Sequence, residues 1–412
     1  MALHVMDEAN RCLQCKNPMC RKGCPINTNI PEAIRLLKEN KLNEAGKMLF
    51  YNNPLTTVCS LVCNHENQCE GHCVLGIKGS PVHFSTIENY ISTTYANQMT
   101  EGPKPSNGIK VAIVGSGPAG LTIAVILARY GYQVTIFDIH DKIGGVLRYG
   151  IPEFRLPKSV LDDFEYRHLR LKGIKVRPNT TIGTSITIDD LFRDGYKAVF
   201  VGTGTWRPKT LGIKGESLGN VHFAIDYLAS PDVYHLGNNV IVIGVGNAAM
   251  DVARTAIRKG SRNVTCFARR DTVSASQYEF SYAKLEGVTF EFNKAPVEIK
   301  DDGVIFRDTV MNDEGKVVPV EGSEKFYPAD SVIVSVSQGA MNRIVSTTKG
   351  LEVNSRGLLV ADENGQTTRP GVFTSGDVVS GAKTVVEAVA ASKITAEAMH
   401  QYLQSLPKEE EE

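Results

Sequence analysis

The chain has 412 residues, enough for two or three domains, and its 42% hydrophobic content lets each domain build a core. Lysine plus arginine equals aspartate plus glutamate at 45 each, so the overall charge favours neither a nucleic-acid nor an anionic-membrane partner. No apolar run is long enough to span a bilayer, and the amino-terminal residues lack the pattern of a secretion signal. We therefore expect a cytoplasmic protein whose thiols stay reduced.

Eight of the nine cysteines lie within the first 73 residues, among short helical patterns. One helix is predicted to begin at Ile30, with Pro31 in its first turn and apolar residues three or four positions apart. The cysteines form two groups, which are Cys12, Cys15, Cys20 and Cys24, then Cys59, Cys63, Cys69 and Cys73. Clustered thiols in a reducing compartment indicate metal ligation rather than disulfides.

The spacing of these cysteines favours iron–sulfur clusters over structural zinc. Zinc sites usually take two close cysteine pairs, but only Cys12 and Cys15 have the C-x2-C spacing. Cys24 is followed by Pro25, an ending that is typical of ferredoxin-like sequences with two clusters. A scaffold with structural zinc and a degenerate flavin fold is the alternative, and it predicts a colourless protein.

A linker rich in glycine and proline over residues 101–108 precedes a part in which short apolar strands alternate with helices. This alternation predicts a parallel α/β sheet. A strand, a glycine-rich turn and a helix occur twice, beginning at Val111 and at Val240. The repetition predicts two dinucleotide-binding modules in one chain.

The first glycine-rich turn is predicted to bind a dinucleotide. Gly115 allows a tight turn, Gly117 lets the backbone approach a pyrophosphate, and Gly120 lets helix and strand pack closely. Pro118 and Ala119 open the helix, whose free N–H groups would face the phosphates.

The strand after this helix ends at Asp138. An acid there can accept hydrogen bonds from an adenosine ribose and disfavours a 2′-phosphate, so FAD or NAD fits this module and NADP does not. The alternative is a strand–helix turn without a ligand, but strand, turn, helix and acid together favour the dinucleotide site.

The second turn has a similar form and is built from Gly244, Gly246, Asn247 and Ala248. The strand that follows ends at Arg269 and Arg270, so arginine replaces the expected acid. Guanidinium groups pair bidentately with phosphate, which makes both arginines candidate ligands of a 2′-phosphate and NADPH the expected nucleotide. Asp271 leaves NADH open, and a solvated arginine pair is the alternative.

The segment after the first module contains no cysteine, although relatives with this two-module plan often carry a redox-active pair there. We assign Gly145 and Arg148 in this segment as further cofactor-binding candidates. Cys266 is the only cysteine beyond residue 73 and lies on a predicted strand, so we expect a core residue. Electrons are therefore expected to leave through the cysteine-rich part.

The motifs together resemble those of the small subunit of bacterial glutamate synthase. They equally resemble the amino-terminal half of dihydropyrimidine dehydrogenase, its separate bacterial flavoprotein subunit, and the large subunits of electron-bifurcating transhydrogenases. The resemblance covers about residues 8–404 and rests on the cysteine groups and on residues 150–157, 249–251, 376–377 and 383–386.

The resemblance implies an α/β protein in which a helical iron–sulfur domain precedes two Rossmann-like domains for FAD and NAD(P)H. The implied boundaries are residues 1–105 for the helical domain, 106–228 with 346–412 for the FAD domain, and 229–345 for the NAD(P)H domain. Ser337 and Ser375 depart from the pattern, since relatives usually have glycine there.

Two further stretches look like the later flavin signatures of two-dinucleotide-domain flavoproteins. One is a strand that ends at Gly204, and the other ends at Gly376 and Asp377. In that resemblance Asp377 contacts the ribityl or pyrophosphate part of FAD. The next helix begins near Lys383, Thr384 and Val385, and its positive amino end would stabilise the reduced flavin.

Two 4Fe–4S clusters with crossed ligation are also implied by the resemblance. One set would be Cys12, Cys15, Cys20 and Cys73, and the other Cys24, Cys63, Cys69 and a fourth ligand. In several relatives that fourth ligand is a Glu or Gln on the following helix, which makes Glu88 the preferred candidate here. Eight thiols would simply suggest four for each cluster, so Glu88 against Cys59 stays open.

The implied activity is oxidation of NAD(P)H, with electrons passing through FAD and the clusters to another polypeptide. No FMN barrel or amidotransferase domain is present in the 412 residues. Candidate partners are a glutamate synthase large subunit, a dihydropyrimidine dehydrogenase catalytic subunit or a ferredoxin-like acceptor, in a hetero-oligomer. A stand-alone diaphorase and a ferredoxin–NADP transhydrogenase subunit are the alternatives. The acidic end, residues 408–412, is predicted to be disordered.

Overall fold

The computed structural model describes residues 2–99, 102–341 and 343–407, so the acidic end predicted to be disordered lies outside the described residues. Contacts divide the chain into two compact units. They are unit 1, residues 1–147, 153–205 and 339–412, and unit 2, residues 148–152 and 206–338. The three domain boundaries inferred from the sequence remain a prediction. Within the described residues, no helix is both long and apolar enough to cross a membrane.

The α-helices are, in chain order, α1 Ala2–Arg11, α2 Met19–Gly23, α3 Ile30–Lys38, α4 Leu42–Asn52, α5 Thr56–Val62, α6 Phe84–Gln98, α7 Pro118–Arg129, α8 Val146–Tyr149, α9 Lys158–Phe164, α10 Ile188–Arg193, α11 Ala224–Ala229, α12 Asn247–Arg258, α13 Gln277–Leu285, α14 Arg343–Thr347, α15 Asp377–Ser380 and α16 Val385–Ser405. Short 3₁₀ helices cover Val74–Ile77, Arg170–Lys172 and Pro231–Val233, and a π-helical turn covers Glu165–Leu169.

The strands are, in chain order, β1 Lys110–Val114, β2 Gln133–Phe137, β3 Lys175–Arg177, β4 Tyr196–Val201, β5 Arg207–Pro208, β6 Val221–Phe223, β7 Asn239–Ile243, β8 Asn263–Phe267, β9 Thr289–Glu291, β10 Lys294–Lys300, β11 Gly303–Met311, β12 Val317–Pro319, β13 Lys325–Pro328, β14 Ser331–Val334, β15 Gln338–Gly339 and β16 Val372–Thr374.

Helices α1–α6 form the amino-terminal part of unit 1. The helix predicted from Ile30 is confirmed as α3, with Pro31 in its first turn. Its apolar face packs into a core in which Ile34, Ile87 and Ile91 are fully buried. The cysteine groups lie before α3 and between the start of α5 and α6, and several of their side chains pack against this core.

The rest of unit 1 is built on a five-stranded parallel sheet with the order β16-β4-β1-β2-β3. Four consecutive residues of β1 and of β4 are buried, which explains why both strands are continuously apolar. Helices α7 and α16 pack together. Because all five strands are parallel, the carboxyl ends of β1, β4 and β16 meet at one edge of the sheet.

Unit 2 repeats this arrangement with a parallel sheet of order β6-β14-β7-β8-β9. Helix α12 packs against β7 and β8 in one core, and β10, β11 and β13 contribute to a second core with residues of β7 and β8. The predicted repetition of strand, turn and helix is therefore confirmed as β1–α7 and β7–α12.

Candidate functional site

The first glycine-rich turn joins β1 to α7 with very little space around it. Gly115 has a φ of +100°, a left-handed value that favours glycine, and a Cβ there would lie 2.5 Å from the Gly202 carbonyl oxygen. A Cβ on Gly120 would lie 1.9 Å from the Gly115 carbonyl oxygen. The turn and the helix can therefore approach each other this closely only because both residues lack side chains.

The backbone in front of this turn is open to a ligand. A Cβ on Gly117 would meet no atom within 4 Å, and no side chain caps the amino end of α7, which begins at Pro118. Gly145 has a φ of +52°, and its backbone passes close to the turn, because a Cβ added there would lie 2.8 Å from Gly117 Cα. The uncapped N–H groups, beginning with that of Ala119, can receive a pyrophosphate, so the residues present fit FAD.

Asp138 lies just after β2 and is 5% exposed. Its Oδ2 accepts hydrogen bonds from the backbone N–H and the hydroxyl of Ser116, each at 2.6 Å. Its Oδ1 accepts one from the His140 N–H at 2.8 Å and lies 2.9 Å from His140 Nδ1. Burial opposes ionisation, but the hydrogen bonds from His140 and Ser116 outweigh it and hold the pKa of Asp138 below its usual value. The carboxylate therefore fastens the glycine turn to the end of β2, and its contact with a ribose stays a prediction.

Three sequence motifs assigned to FAD meet at the carboxyl edge of the unit 1 sheet. Gly204, with a φ of +67°, follows β4, which pairs with both β1 and β16. Gly376 follows β16 with a φ of +80°, and a Cβ there would lie 3.1 Å from the Cβ of Ala119 in the first turn. Arg148 lies on α8 and is half-buried, and its cofactor role stays a prediction.

The start of α16 is held in place by side chains of this same edge. The Asp377 carboxylate accepts a hydrogen bond from the Lys383 N–H at 3.2 Å, and burial raises the pKa of Asp377 to about 6. Thr384 and Glu387 cap α16 reciprocally, so the helix begins at Val385. The Lys383 side chain is exposed.

The second turn, in unit 2, repeats the backbone geometry of the first. Gly244 has a φ of +134°, and a Cβ there would lie 2.3 Å from the Ser335 carbonyl oxygen. Gly246 precedes α12 in an extended conformation without a side-chain cap, as Gly117 precedes α7. The same open amino end is therefore available to a second dinucleotide.

The remaining candidates of the second module lie at or near the surface. Asn247 is exposed, and Ala248 is half-buried in the first turn of α12. Arg269, Arg270 and Asp271 come shortly after β8 and are exposed. In the part of the chain that the structure describes, no acidic side chain pairs with either guanidinium, so both are free to bind a phosphate.

The thiols of the first set line one pocket in the helical part of unit 1. It is lined by the thiols that the resemblance assigns to one cluster, Cys12, Cys15, Cys20 and Cys73, and also by Cys69. Burial and then the charge of neighbouring thiols raise the pKa of Cys12, and they raise the pKa of Cys20 to about 11. The fold thus brings two cysteines of the second group, Cys69 and Cys73, to three cysteines of the first group.

The second set is buried more deeply. A hydrogen bond with Cys59 and then burial raise the pKa of Cys63, and Glu88 and Cys69 add to this. Burial followed by the charge of Glu88 raises the pKa of Cys69, to which Cys24 also contributes. Glu88 lies close to Cys63 and Cys69, and Cys59 is hydrogen-bonded to Cys63, so the choice between Glu88 and Cys59 stays a prediction.

These thiol sets fit iron–sulfur clusters in their chemistry. Burial and neighbouring thiols raise the pKa of Cys12 and Cys20, and the positive charge of an iron–sulfur core would offset that cost of ionisation. Among the residues described, no three His, Cys, Asp or Glu side chains converge on a site for one metal ion. Cys266 on β8 is completely buried in the unit 2 core, as predicted, and burial raises the pKa of its thiol.

Sequence reasoning missed three residues that support these sites. The Thr56 hydroxyl donates to Glu88 Oε1 at 2.7 Å, and burial of Glu88 raises its pKa to about 7. Ser116 and His140 hold Asp138. Thr56 has no sequence signal because it lies 32 residues from Glu88, whereas a hydroxyl inside the glycine-rich turn could have drawn attention to Ser116.

Comparisons with known proteins agree with this geometry. A family described as pyridine nucleotide-disulphide oxidoreductase matches residues 109–392, and one described as dihydropyrimidine dehydrogenase domain II, 4Fe–4S cluster, matches residues 2–100. The glutamate synthase [NADPH] small chain of Escherichia coli K12 is 35% identical over 96% of this chain and 91% of its own. The NAD-dependent dihydropyrimidine dehydrogenase subunit PreT of the same organism is 33% identical over 98% of this chain and 95% of its own.

Among solved structures, Mycobacterium tuberculosis FprA in complex with NADPH covers 73% of this chain and 85% of its own, with a TM-score of 0.61 and 20% identity. This likeness concerns the fold. The fold, the glycine turns and the matched families together define an NAD(P)H-dependent, FAD-containing oxidoreductase with a 4Fe–4S domain.

The chain belongs to the family of glutamate synthase small chains and dihydropyrimidine dehydrogenase PreT subunits. The predicted resemblance, fold class, oxidoreductase activity and cofactor classes are thereby confirmed.

Proposed function

We propose that this chain is the electron-input subunit of a larger reductase. In this proposal NAD(P)H binds at the β7–α12 turn, FAD at the β1–α7 turn, and one 4Fe–4S cluster at each thiol set. FAD supplies hydride acceptance and single-electron release, and the clusters supply onward single-electron transfer. The residues of the chain bind and orient these groups and exclude water from them.

The observation that carries this proposal is the distribution of thiols. Exchange through a disulfide needs an accessible thiol pair, but Cys266, the only cysteine after residue 73, is completely buried. Eight thiols are instead grouped in the helical part. The route for electrons out of the flavoprotein part therefore leads through the helical part.

The names of the relatives support a partner on another polypeptide. One relative is a small chain of glutamate synthase and another is a subunit of dihydropyrimidine dehydrogenase. We infer a hetero-oligomer in which a catalytic reductase subunit, or a ferredoxin-like acceptor, receives the electrons. A stand-alone diaphorase would turn over NAD(P)H with soluble acceptors and purify without a partner.

NADPH is the proposed nucleotide, because Arg269 and Arg270 are exposed, pair with no acidic side chain among the described residues, and follow the strand whose end carries an acid in NAD sites. Asp271 keeps NADH as the alternative. One relative is named for NADPH and another for NAD, so the choice rests on the arginines of this chain.

An anaerobic titration tests the proposal directly. The purified protein should contain about eight iron, eight sulfide and one FAD, as two 4Fe–4S clusters and one flavin require. NADPH should bleach the visible spectrum at lower concentration than NADH. Zinc without flavin would contradict the proposal, and equal bleaching by both nucleotides would contradict only the choice of NADPH.

The fourth ligand of the second cluster can be tested with two matched variants. If Glu88 is the ligand, Glu88→Ala should lose about half of the iron and one of two cluster signals in electron paramagnetic resonance, whereas Cys59→Ala should keep both. Cys266→Ala is the control for removing a buried thiol. Full iron and unchanged spectra in Glu88→Ala would rule out Glu88 as the ligand. Loss of iron and of one cluster signal in Cys59→Ala would instead assign Cys59 as the fourth ligand.

A further inference from the structure

The two segments that carry the first thiol set are basic, although the whole chain has equal numbers of acidic and basic residues. Residues 11–24 and 71–80 contain no acidic residue, and their basic residues are Arg11, Lys16, Arg21, Lys22 and Lys78. Arg11 pairs with Glu8. No acidic side chain of the described chain pairs with the other four, so their charges are uncompensated and exposed.

Large apolar side chains are exposed in the same two segments. Leu13 is 62% exposed and Ile77 is 79% exposed. Leu13, Met19 and Val74 also line the pocket that contains the thiols of the first set. Exposed apolar residues bordered by charged ones are typical of sites where another protein binds.

We propose that this surface, formed by residues 13–22 and 74–78 and called the acceptor face, docks an acidic protein that carries a one-electron redox centre. The inference rests on the proposed function, because it assumes that electrons leave the chain through the first thiol set. The basic residues would attract an acidic partner, and the apolar residues would pack against it and exclude water.

Electron transfer from the chain to the partner makes and breaks no bond. Each step removes one electron from the reduced chain and adds it to the oxidised centre of the partner. NAD(P)H supplies the electrons in pairs, so two acceptor molecules are reduced for each nucleotide oxidised. The acceptor face binds and orients the partner, and it therefore affects the apparent second-order rate constant for reduction of the partner.

A matched pair of probes tests the charge of the partner. Native cytochrome c is basic, and cytochrome c with succinylated lysines presents the same haem on an acidic surface. With the complete, cofactor-loaded protein and NADPH at low ionic strength, the acidic form should be reduced about tenfold faster than the native form. The ratio should approach one as salt is raised to about 0.5 M, because salt screens the attraction.

A charge-reversed variant locates the effect on the acceptor face. Lys16→Glu, Arg21→Glu and Lys22→Glu together should invert the preference, so that native cytochrome c is reduced faster. The control reverses three exposed basic residues outside these segments, Lys175→Glu, Lys349→Glu and Arg356→Glu, and should keep the original preference. Unchanged preference in the first variant would overturn the proposal, as would a wild-type protein that prefers native cytochrome c or shows no salt dependence.

The same assays separate failure of the acceptor face from failure of the proposed function. If NADPH reduces neither the bound flavin nor ferricyanide, the electron-input function itself is wrong. If both are reduced but the two cytochromes react equally at low salt, only the acceptor face is wrong. The iron content of the charge-reversed variant shows whether it has kept its clusters. If it has lost iron, the acceptor face is judged from the wild-type protein alone, by whether its preference for the acidic cytochrome c falls as salt is raised.

Discussion

The two glycine-rich turns share one backbone plan but differ in how exposed their surroundings are. In both, a glycine with positive φ follows a buried strand, and an extended glycine precedes a helix of 12 residues. The first turn is enclosed, with Ser116 fully buried and Asp138 5% exposed. At the second, Asn247, Arg269 and Arg270 are exposed.

This difference fits two kinds of ligand. An enclosed turn suits a cofactor that stays bound. An exposed turn whose arginines pair with no acidic side chain of the described residues suits a nucleotide that binds and leaves in every turnover. We therefore expect the same fold element to hold a resident group in one unit and an exchanging one in the other, according to the side chains placed around it.

The largest effect is expected from closing the space in the first turn. Gly120→Ala should purify with less than about a tenth of the normal FAD, because its Cβ would lie 1.9 Å from the Gly115 carbonyl oxygen and the helix must move. Flavin released on heating measures this. Ala249 occupies the corresponding position in the second turn, so Ala249→Gly is the control and should keep full flavin. Normal flavin in Gly120→Ala would show that the first turn tolerates a side chain.

Removing both arginines should weaken binding at the second turn selectively. Arg269→Ala with Arg270→Ala should raise the KM for NADPH about 10- to 100-fold, since a charged hydrogen bond contributes roughly 1.5–3 kcal/mol. The KM for NADH should change by less than about threefold. Arg262→Ala, an exposed arginine just before β8, should leave both unchanged. Equal effects on the two nucleotides would contradict the NADPH assignment.

Asp138 allows a test of how the first turn is held. Asp138→Asn should lower stability by about 2 kcal/mol at pH 7, because an amide cannot accept all the hydrogen bonds from Ser116 and His140. The folded-state pKa of Asp138 is depressed, so its stabilisation is present above the unfolded-state pKa and is lost as pH falls through the folded value.

The temperature of flavin release, measured from pH 7 down to below about 4, reports this stabilisation. Wild type and Asp138→Asn should differ most at neutral pH and converge in acid. Asp313→Asn, which changes an exposed acid, is the control. A difference that stayed constant over this range would show that the carboxylate charge does not hold the turn.

The smallest effect distinguishes two serines that stand where relatives usually have glycine. Ser337 has a φ of +93°, so Ser337→Gly should relieve about 1 kcal/mol of backbone strain and raise the unfolding midpoint by about 2 °C. Ser375 is buried with its hydroxyl 2.8 Å from that of Ser392, so Ser375→Gly should lower the midpoint by a similar amount. Shifts of the same sign would contradict this distinction between the two serines.

Local features of the molecule could be predicted from the sequence alone. The two turns, the strands before them and helix α3 follow from glycine spacing and apolar periodicity, which act within a few residues. The two cysteine groups likewise indicate iron–sulfur chemistry by their spacing and by the proline that follows Cys24.

Only the tertiary structure decided which distant side chains meet. It set Thr56 against Glu88 and joined Ser116 to Asp138. It also brought Val74 together with Leu13 and Met19 around the thiols of the first set. These contacts join residues far apart in the chain. They form only when the whole core buries its apolar surface, whereas the turns, strands and helices follow from residues a few positions apart.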